Sequence, residues 1–424
     1  AAAISPAAFA GDISFKGDAN VEGFFANSET NSVDQGTNAG YSSRIRLAGS
    51  AKTDGNISVN FRLLLNNSVW QGDTHAGVTG AYEQTGSDPV AVDYGYIQMP
   101  IAGWTVRAGR QVANWAGCFI TCNENRDRLL AMKRFGGTTV IAINDKRMEG
   151  GEATSNSDRD MYAGAAIGMH KGWLWGMLVS TWRGADKDIL EDVIALMPYV
   201  KGKAGGVELE ASINLLTGGD GELDLSAVTT AMQAINPAYP TDIYGTRAEK
   251  SFNDSHLSGF LRAGYDFGSV KLEGLGLFAM NGGLLDPGFD TYSMGLNSNP
   301  KTDASNTNVF NFGRDFGRTE DGRDYDEYLI SVKLSGKASE QLTLSAAAGI
   351  GNTEESCDDD ATNTLCVAGE TYEVDYTFIN AQASYQIAKT TEAYAGIELL
   401  TVDPTGDDNE TDHTLAKVGV STSF

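Results

Sequence analysis

The final twelve residues, "HTLAKVGVSTSF" (413–424), decide the fold, because their side chains alternate between two different environments. Phe424, Val420 and Val418 fall on one face of an extended chain, and Lys417 falls on the other. This period-2 alternation is typical of a β-strand whose two faces meet unlike surroundings. A strand at an open sheet edge is usually charged and frayed, whereas this alternation continues to the last residue. The segment therefore predicts a strand that is paired along its whole length.

The same alternation occurs in other parts of the chain. The runs "NISVNFRLLLN" (56–66), "EYLISVKLSG" (327–336) and "TYEVDYTFI" (371–379) each place apolar residues on one side and polar residues on the other. Tight turns alternate with longer polar stretches, which lie near residues 27–40, 67–89, 113–125, 147–158, 183–188, 218–255, 281–325, 352–371 and 403–411. Short turns at one end and long loops at the other predict an all-β, meandering antiparallel barrel of about 16–18 strands. We expect residues 11–424 to form this single domain.

The size of this barrel determines which face of each strand meets water. A barrel of about 18 strands encloses a lumen that side chains cannot fill, so the polar faces are expected to point inward. The apolar faces then point outward, where lipid covers them. The sequence contains no run of about 18 apolar residues that would form a transmembrane helix. The mean hydropathy of −0.24 suits a membrane barrel with a wet lumen and polar loops.

The composition and the first residues indicate the cellular compartment of the protein. Asp and Glu number 56 against 31 Lys and Arg, giving a net charge of −25, which excludes the basic surface that nucleic-acid binding needs. The opening "AAAISPAAFAGD" (1–12) is small and apolar and contains Ala8-Phe9-Ala10 before Gly11. This resembles the end of a secretory signal with an A-x-A cleavage site. We expect residues 1–10 to be a signal-peptide remnant and the protein to be exported.

The four cysteines form two local pairs. Cys118 and Cys122 lie in "GCFITCNEN", and Cys357 and Cys366 lie in "SCDDDATNTLC". Two close pairs predict two small disulfide loops, which form in an oxidising compartment. The alternative is a zinc site with four thiolate ligands, although neither pair has the C-x₂-C spacing typical of such sites.

A family resemblance supports the barrel. The chain is similar to the porins of Gram-negative outer membranes in its loop asymmetry and in its terminal phenylalanine, which in that family marks the chain for membrane insertion. "WTVRAGRQVANW" (104–115), a polar loop and "RDRLLAMKRFGGTTVIAI" (126–143) resemble the family's strand, inward-folded third loop, strand, glycine turn and strand. The acidic, glycine-containing loop motif usual in porins is absent. The resemblance implies a cell outer-membrane location, short periplasmic turns, long extracellular loops and an inward-folded loop near 113–125.

The resemblance also implies a function. We expect a general diffusion porin, a passive channel for small hydrophilic solutes and ions that assembles as a homotrimer, with a monomer as the alternative. A second hypothesis is a solute-selective channel with an internal binding site for a sugar, amino acid or carboxylate. An ordered aromatic track or a continuous basic ladder in the lumen would favour it. A third hypothesis is a structural or adhesion barrel that its long loops plug.

Charged residues on predicted strands are the candidate pore-lining residues. Arg44 and Arg46 share a face in "SSRIRLA", and Arg62 and Arg107 lie on the polar faces of two later strands. In lipid each arginine would cost about 2–4 kcal/mol near the bilayer midplane, so these four arginines are expected to line the lumen. The resemblance implies acidic residues on the third loop opposite a basic wall. The candidates for these acids are Glu124 and Asp127.

Acidic clusters are the candidate cation-binding sites. They are "GDGELD" (219–224), "RTEDGRDYDEY" (318–328), "CDDDATN" (357–363) and "GDDNETD" (406–412). Their oxygen atoms are ligands that Ca²⁺ prefers, although none matches a twelve-residue EF-hand loop. We consider Ca²⁺ binding there, with bridging by divalent ions to lipopolysaccharide, against the alternative of solvated acidic loops. The metal ligands themselves cannot be assigned from this pattern.

Signals for catalysis and for cofactors are poor. The sequence has no nucleophile elbow, P-loop or metalloprotease motif, and its four histidines all fall in predicted loops or turns. We therefore expect no enzymatic activity and no cofactor.

Overall fold

The computed structural model is an all-β barrel. It describes residues 12–31, 33–53, 55–70, 90–119, 121–148, 159–184, 192–218, 222–224, 248–250, 256–281, 323–357, 369–404 and 410–424. The predicted signal remnant at residues 1–10 lies outside this part of the chain. Among the described residues, no helix has the length and apolar character needed to cross a membrane.

Eighteen strands form the barrel, and two short strands pair separately. The strands are β1 (Ile13–Thr30), β2 (Val33–Lys52), β3 (Ser58–Val69), β4 (Ala91–Ile101), β5 (Trp104–Trp115), β6 (Thr121–Phe135), β7 (Thr138–Met148), β8 (Arg159–His170), β9 (Trp173–Gly184), β10 (Ile194–Ala204), β11 (Val207–Thr217), β12 (Glu222–Asp224), β13 (Ala248–Lys250), β14 (His256–Asp266), β15 (Val270–Met280), β16 (Arg323–Lys337), β17 (Leu342–Cys357), β18 (Thr371–Ala388), β19 (Thr391–Pro404) and β20 (Thr411–Ser423). The short pair is β12 with β13. A short turn with positive φ angles, Ala116–Cys118, follows β5.

The sheet closes because the first and last barrel strands pair. Each barrel strand is antiparallel to its neighbours along the chain, and β1 pairs with β20 from Asp18↔Ser423 to Thr30↔Thr411. The register extends one residue further, since the backbone N–H of Phe424 donates to the Gly17 carbonyl at 3.0 Å and Gly17 N–H donates back at 2.7 Å. The prediction that the last segment is paired along its length is confirmed. The strand number takes the upper value of the predicted range.

The two ends of the barrel differ, as the loop pattern predicted. Two-residue turns at 102–103, 136–137, 171–172, 205–206 and 389–390 lie at one end, which we call the short-turn end. The connections at the opposite, long-loop end include 149–158, 219–255 and 282–322, most of which falls outside the described residues. The predicted loop at 27–40 is instead a tight hairpin. β1 and β2 pair continuously from Thr30↔Val33 to Ile13↔Ala51, with one register shift between Ser28 and Glu29.

The outer surface of the barrel is apolar. Side chains such as Phe15, Val59, Ile330 and Val418 are between 46% and 64% exposed although they lie in regular strands. Their neighbours along each strand point into the lumen, where charged and polar side chains are partly or fully buried. This arrangement is the reverse of a soluble barrel, in which the apolar face fills the interior.

One strand reverses the predicted assignment of its faces. In "TYEVDYTFI" the apolar side that includes Tyr376 and Phe378 points inward, where these residues are 2% and 5% exposed, while Ile379 is 58% exposed outside. Both faces of β18 are therefore partly apolar. The reason is that Tyr376 and Phe378 pack inside the lumen against other apolar side chains.

The closing seam generates a stability prediction. On the outer face a Cβ at Gly17 would overlap the ring of Phe424 and lie 2.9 Å from the Arg46 carbonyl oxygen. We expect Gly17→Ala to lower the free energy of unfolding by about 1–3 kcal/mol through overpacking. Urea denaturation of the protein refolded in detergent micelles measures this change.

Gly164→Ala is the matched control, because a Cβ at Gly164 would meet no atom within 4 Å. An equal loss of stability in both variants would show that the Phe424 contact does not stabilise the seam.

Candidate functional site

A hairpin from one wall of the barrel reaches across the lumen to the other. Residues 116–119, which we call the tip, join β5 to β6 and begin with three consecutive left-handed residues, at φ 49°, 64° and 76°. Trp115 Nε1 donates to the Met197 carbonyl at 3.2 Å, and the Phe119 ring lies 4.8 Å from the ring of Phe260. The hairpin thus contacts β10 through Trp115 and β14 through Phe119, on the far side of the lumen.

Glycine at the centre of the tip permits this close approach. A Cβ on Gly117 would lie 2.7 Å from Oε1 of Glu210, a lumen residue of β11. Gly117 also has φ 64°, a conformation that other residues adopt with strain. Trp115, Gly117 and Phe119, at every second position, therefore contact three neighbouring strands of the opposite wall.

The tip docks on an apolar cluster inside the barrel, which we call the lumen cluster. Phe119 is fully buried there. Its members are Ala116, Phe119, Phe260, Leu275, Leu277, Ala279, Leu329, Ala347, Tyr376, Phe378 and Leu400. Because the wall residues come from β14 to β19, apolar side chains occupy that side of the lumen.

The four predicted arginines lie on the other side of the lumen, and we call them the arginine wall. Arg44 and Arg46 belong to β2, Arg62 to β3 and Arg107 to β5. Arg46 Nε donates to Asp18 Oδ1 at 2.9 Å, and Arg62 pairs with Asp93. The side chains of Arg46 and Arg62 remain 22% and 19% exposed, so these ion pairs are only partly buried.

Two tyrosines complete the arginine wall, and the sequence reasoning did not select them. The Arg62 guanidinium lies 4.8 Å from the Tyr94 ring centroid, and that of Arg107 lies 5.4 Å from the Tyr96 centroid. The two rings are 6.0 Å apart. Cation–π contacts fall in this range, so guanidinium and aromatic groups form one continuous column. The alternation of Tyr94 and Tyr96 with Gly95 in β4 was the signal in the sequence.

The two acidic residues predicted to lie opposite the basic wall are on different faces of β6. Glu124 lies on the lumen side of β6 near the tip and pairs with Arg126. Asp127 lies on the outer face, where it is 64% exposed and 3.6 Å from Arg110. Asp127 therefore does not line the pore, because the side chains on either side of it take the lumen positions. The neighbouring lumen position of β6 is taken by Arg128, whose Nη2 donates to Oδ2 of the buried Asp145 at 2.7 Å.

The cysteines are described only in part. Cys118, in the tip, is disulfide-bonded, and none of the described cysteines is free. The side chains of Cys122, Cys357 and Cys366 lie outside the described residues, so both pairings stay predictions. In the described part of the chain no group of three or more His, Cys, Asp or Glu side chains could hold a metal ion. Most of the acidic loops lie outside that part.

Comparisons with known proteins show a likeness of fold. No family model matches the sequence, and no curated protein matches it. Similar solved structures include OpdK with vanillate (11% identity, TM-score 0.55) and OccK8, also called OprE (10%, 0.54), both from Pseudomonas aeruginosa. Another is described as the outer membrane protein OpdK of the same organism (12%, 0.53). Each alignment covers 97% of this chain and 98% or 99% of the other. At these identities the comparison establishes the barrel architecture.

The docked tip generates a prediction about local stability. Removing the Phe119 ring leaves a cavity where the tip meets Phe260, and such a loss costs about 3–5 kcal/mol in a packed core. We expect Phe119→Ala to speed amide hydrogen exchange at residues 113–121 about tenfold or more, because the tip undocks before the barrel unfolds.

The control is Phe135→Ala, which removes a 53% exposed outer-face ring at the other end of β6. Unchanged exchange at residues 113–121 in Phe119→Ala would show that the tip is held by other contacts.

Proposed function

We propose that the chain is an outer-membrane channel through which small hydrophilic solutes and ions diffuse. The observation that carries this proposal is the closed 18-stranded barrel with an apolar outer face and ion pairs on its inner face. Lipid is the environment that suits the outer face, and water suits the inner face. The description of the similar OpdK structure as an outer membrane protein supports the same location.

The mechanism that follows is diffusion along an off-centre, charged path. The tip and the lumen cluster narrow the lumen on the β10–β19 side, so solutes pass along the arginine wall. Fixed charges in a narrow pore attract ions of opposite sign and repel like ions, in addition to screening by size. In this mechanism the tip acts as a static constriction that needs no moving lid.

A second candidate is a channel selective for carboxylates, and the arginine–tyrosine column favours it. Arginine binds carboxylates through two parallel hydrogen bonds, and a tyrosine ring offers a face for an aromatic or apolar group. Arg62, Tyr94, Tyr96 and Arg107 present both kinds of group along one side of the path. Vanillate, named with one of the similar structures, combines a carboxylate with an aromatic ring.

The remaining proposals concern partners. We retain the homotrimer as the assembly, formed through the apolar outer face, and test it by the mass of the protein–detergent complex in light scattering. We also retain lipopolysaccharide as the surrounding lipid, with Ca²⁺ bridging from the acidic loops. Calcium titration of the purified protein with and without lipopolysaccharide tests this bridging.

Single-channel conductance in a planar bilayer tests the function directly. Large, ohmic steps that candidate solutes leave unchanged support general diffusion, and small steps that one carboxylate blocks saturably support the selective channel. If a correctly folded barrel shows no conductance, both proposals are contradicted. The remaining hypothesis is then a barrel that its long loops plug.

The arginine wall generates a prediction about ion selectivity. We expect Arg62→Gln/Arg107→Gln to shift the reversal potential under a salt gradient toward cations. A unit charge near 4 Å contributes about 1 kcal/mol in water, so the permeability ratio should change by a factor of about 5.

Arg110→Gln is the matched control, since Arg110 lies on the outer face beside Asp127. Equal shifts in the two variants, or no shift in either, would show that the arginine wall does not set the selectivity.

A further inference from the structure

A second charged region lies inside the barrel, away from the arginine wall. It is a cavity of about 590 Å³ near the short-turn end, lined by β10, β11, β14 and β15, and we call it the lysine bay. Its charged lining residues are Lys201, Lys203, Glu208, Glu210, Arg262, Lys271 and Glu273. Lys333 of β16 lies beside it, opposite Glu273 in the register. None of these residues was selected from the sequence.

Each carboxylate of the bay is held by two cations or shares one. Glu208 lies 2.6 Å from Lys203 and 2.9 Å from Lys271, and Lys271 also lies 2.9 Å from Glu273. Glu210 lies 3.1 Å from Lys201 and 3.2 Å from Arg262. The acids are therefore already neutralised by neighbouring side chains.

The most exposed charged groups of the bay are ammonium groups. The side chains of Lys201 and Lys203 are 56% and 68% exposed, whereas that of Glu210 is only 7% exposed. Tyr199 Oη further covers Glu210 by donating to its Oε1 at 2.6 Å. A solute that enters the bay therefore meets the ammonium groups of Lys201 and Lys203, with the partly exposed Glu208 carboxylate beside them.

The charges of the bay do not cancel. Four cationic lining side chains (Lys201, Lys203, Arg262 and Lys271) face three carboxylates (Glu208, Glu210 and Glu273), and Lys333 beside the bay adds a fifth cation. Asp266 at the rim adds a fourth carboxylate, whose Oδ1 accepts from the Gly268 N–H at 2.7 Å, so the region as a whole keeps an excess of one positive charge. This excess of positive charge favours an anion over a cation in the bay.

We propose that the lysine bay binds a compact tetrahedral oxyanion of the phosphate class, which enters from the short-turn end. Lysine ammonium groups are point charges that converge on such an anion from several directions, whereas the planar guanidinium groups of the arginine wall suit flat carboxylates. The two basic regions of the lumen thus differ in chemistry and in position. The inference rests on the proposed channel only in that the lumen must be wet.

Gly264 leaves room for the Lys271 side chain, which bridges Glu208 and Glu273. The Lys271 side chain crosses Gly264 to reach Glu208, and a Cβ on Gly264 would lie 3.2 Å from Lys271 Cε and 3.3 Å from Glu273 Cγ. Gly264→Ala would push Lys271 away from this bridge and change the spacing of the ammonium groups without removing a charge.

Isothermal titration of the detergent-solubilised, folded protein with inorganic phosphate tests the proposal without requiring conduction. We expect saturable phosphate binding, little binding of acetate, and about tenfold weaker phosphate binding in Lys201→Gln/Lys203→Gln. That variant is expected to fold, because Glu208 keeps Lys271 and Glu210 keeps Arg262. Gly264→Ala should weaken binding while the net charge stays the same.

Lys389→Gln, at the two-residue turn before β19 on another part of the short-turn end, is the matched control and should bind phosphate as the parent does. No phosphate binding to the parent protein, or equal weakening in Lys389→Gln and the double variant, would overturn the proposal. If the unsubstituted protein conducts ions but binds no phosphate, the phosphate site is refuted and the proposed channel is not. If it binds phosphate but shows no conductance, the proposed channel is refuted and the phosphate site is not.

Discussion

Closure of the hydrogen-bonded sheet is the constraint on which the rest of the structure depends. In an apolar environment every backbone N–H and C=O must find a partner within the protein, and only a sheet without edges satisfies this condition with strands. The pairing of β1 with β20, extended by the mutual bonds of Gly17 and Phe424, removes the last edge. Eighteen strands then enclose more space than their own inward side chains fill, so the remaining architecture concerns how that space is used.

The interior divides into two parts with different physics. On the β14–β19 side the tip and the wall pack as a soluble protein core does, with Phe119 and Leu329 fully buried. On the β1–β6 side, ion pairs and cation–π contacts border water. Burial of apolar surface stabilises the first part, and electrostatics shapes the second part, where it contributes little to stability when the pairs are exposed.

The sequence was informative wherever a strand has two unlike faces. Alternation in "NISVNFRLLLN" and "HTLAKVGVSTSF" predicted both the strands and their outward sides. It failed for β18, because packing inside the lumen made both faces apolar. It also could not predict the lysine bay, since charges on β10, β11, β14 and β15 meet only after the sheet has formed.

The division of the interior has a consequence for the effect of amino-acid substitutions in the barrel. Residues that border the path on β2–β5 contribute few packing contacts to the lumen cluster, which draws on β14–β19 and the tip. Substitutions there change the charged lining of the lumen while leaving the packing within the lumen cluster intact. The chain thus places its charged lumen lining and its packed lumen cluster on different strands, so that substitutions on β2–β5 can test the first without removing a buried member of the second.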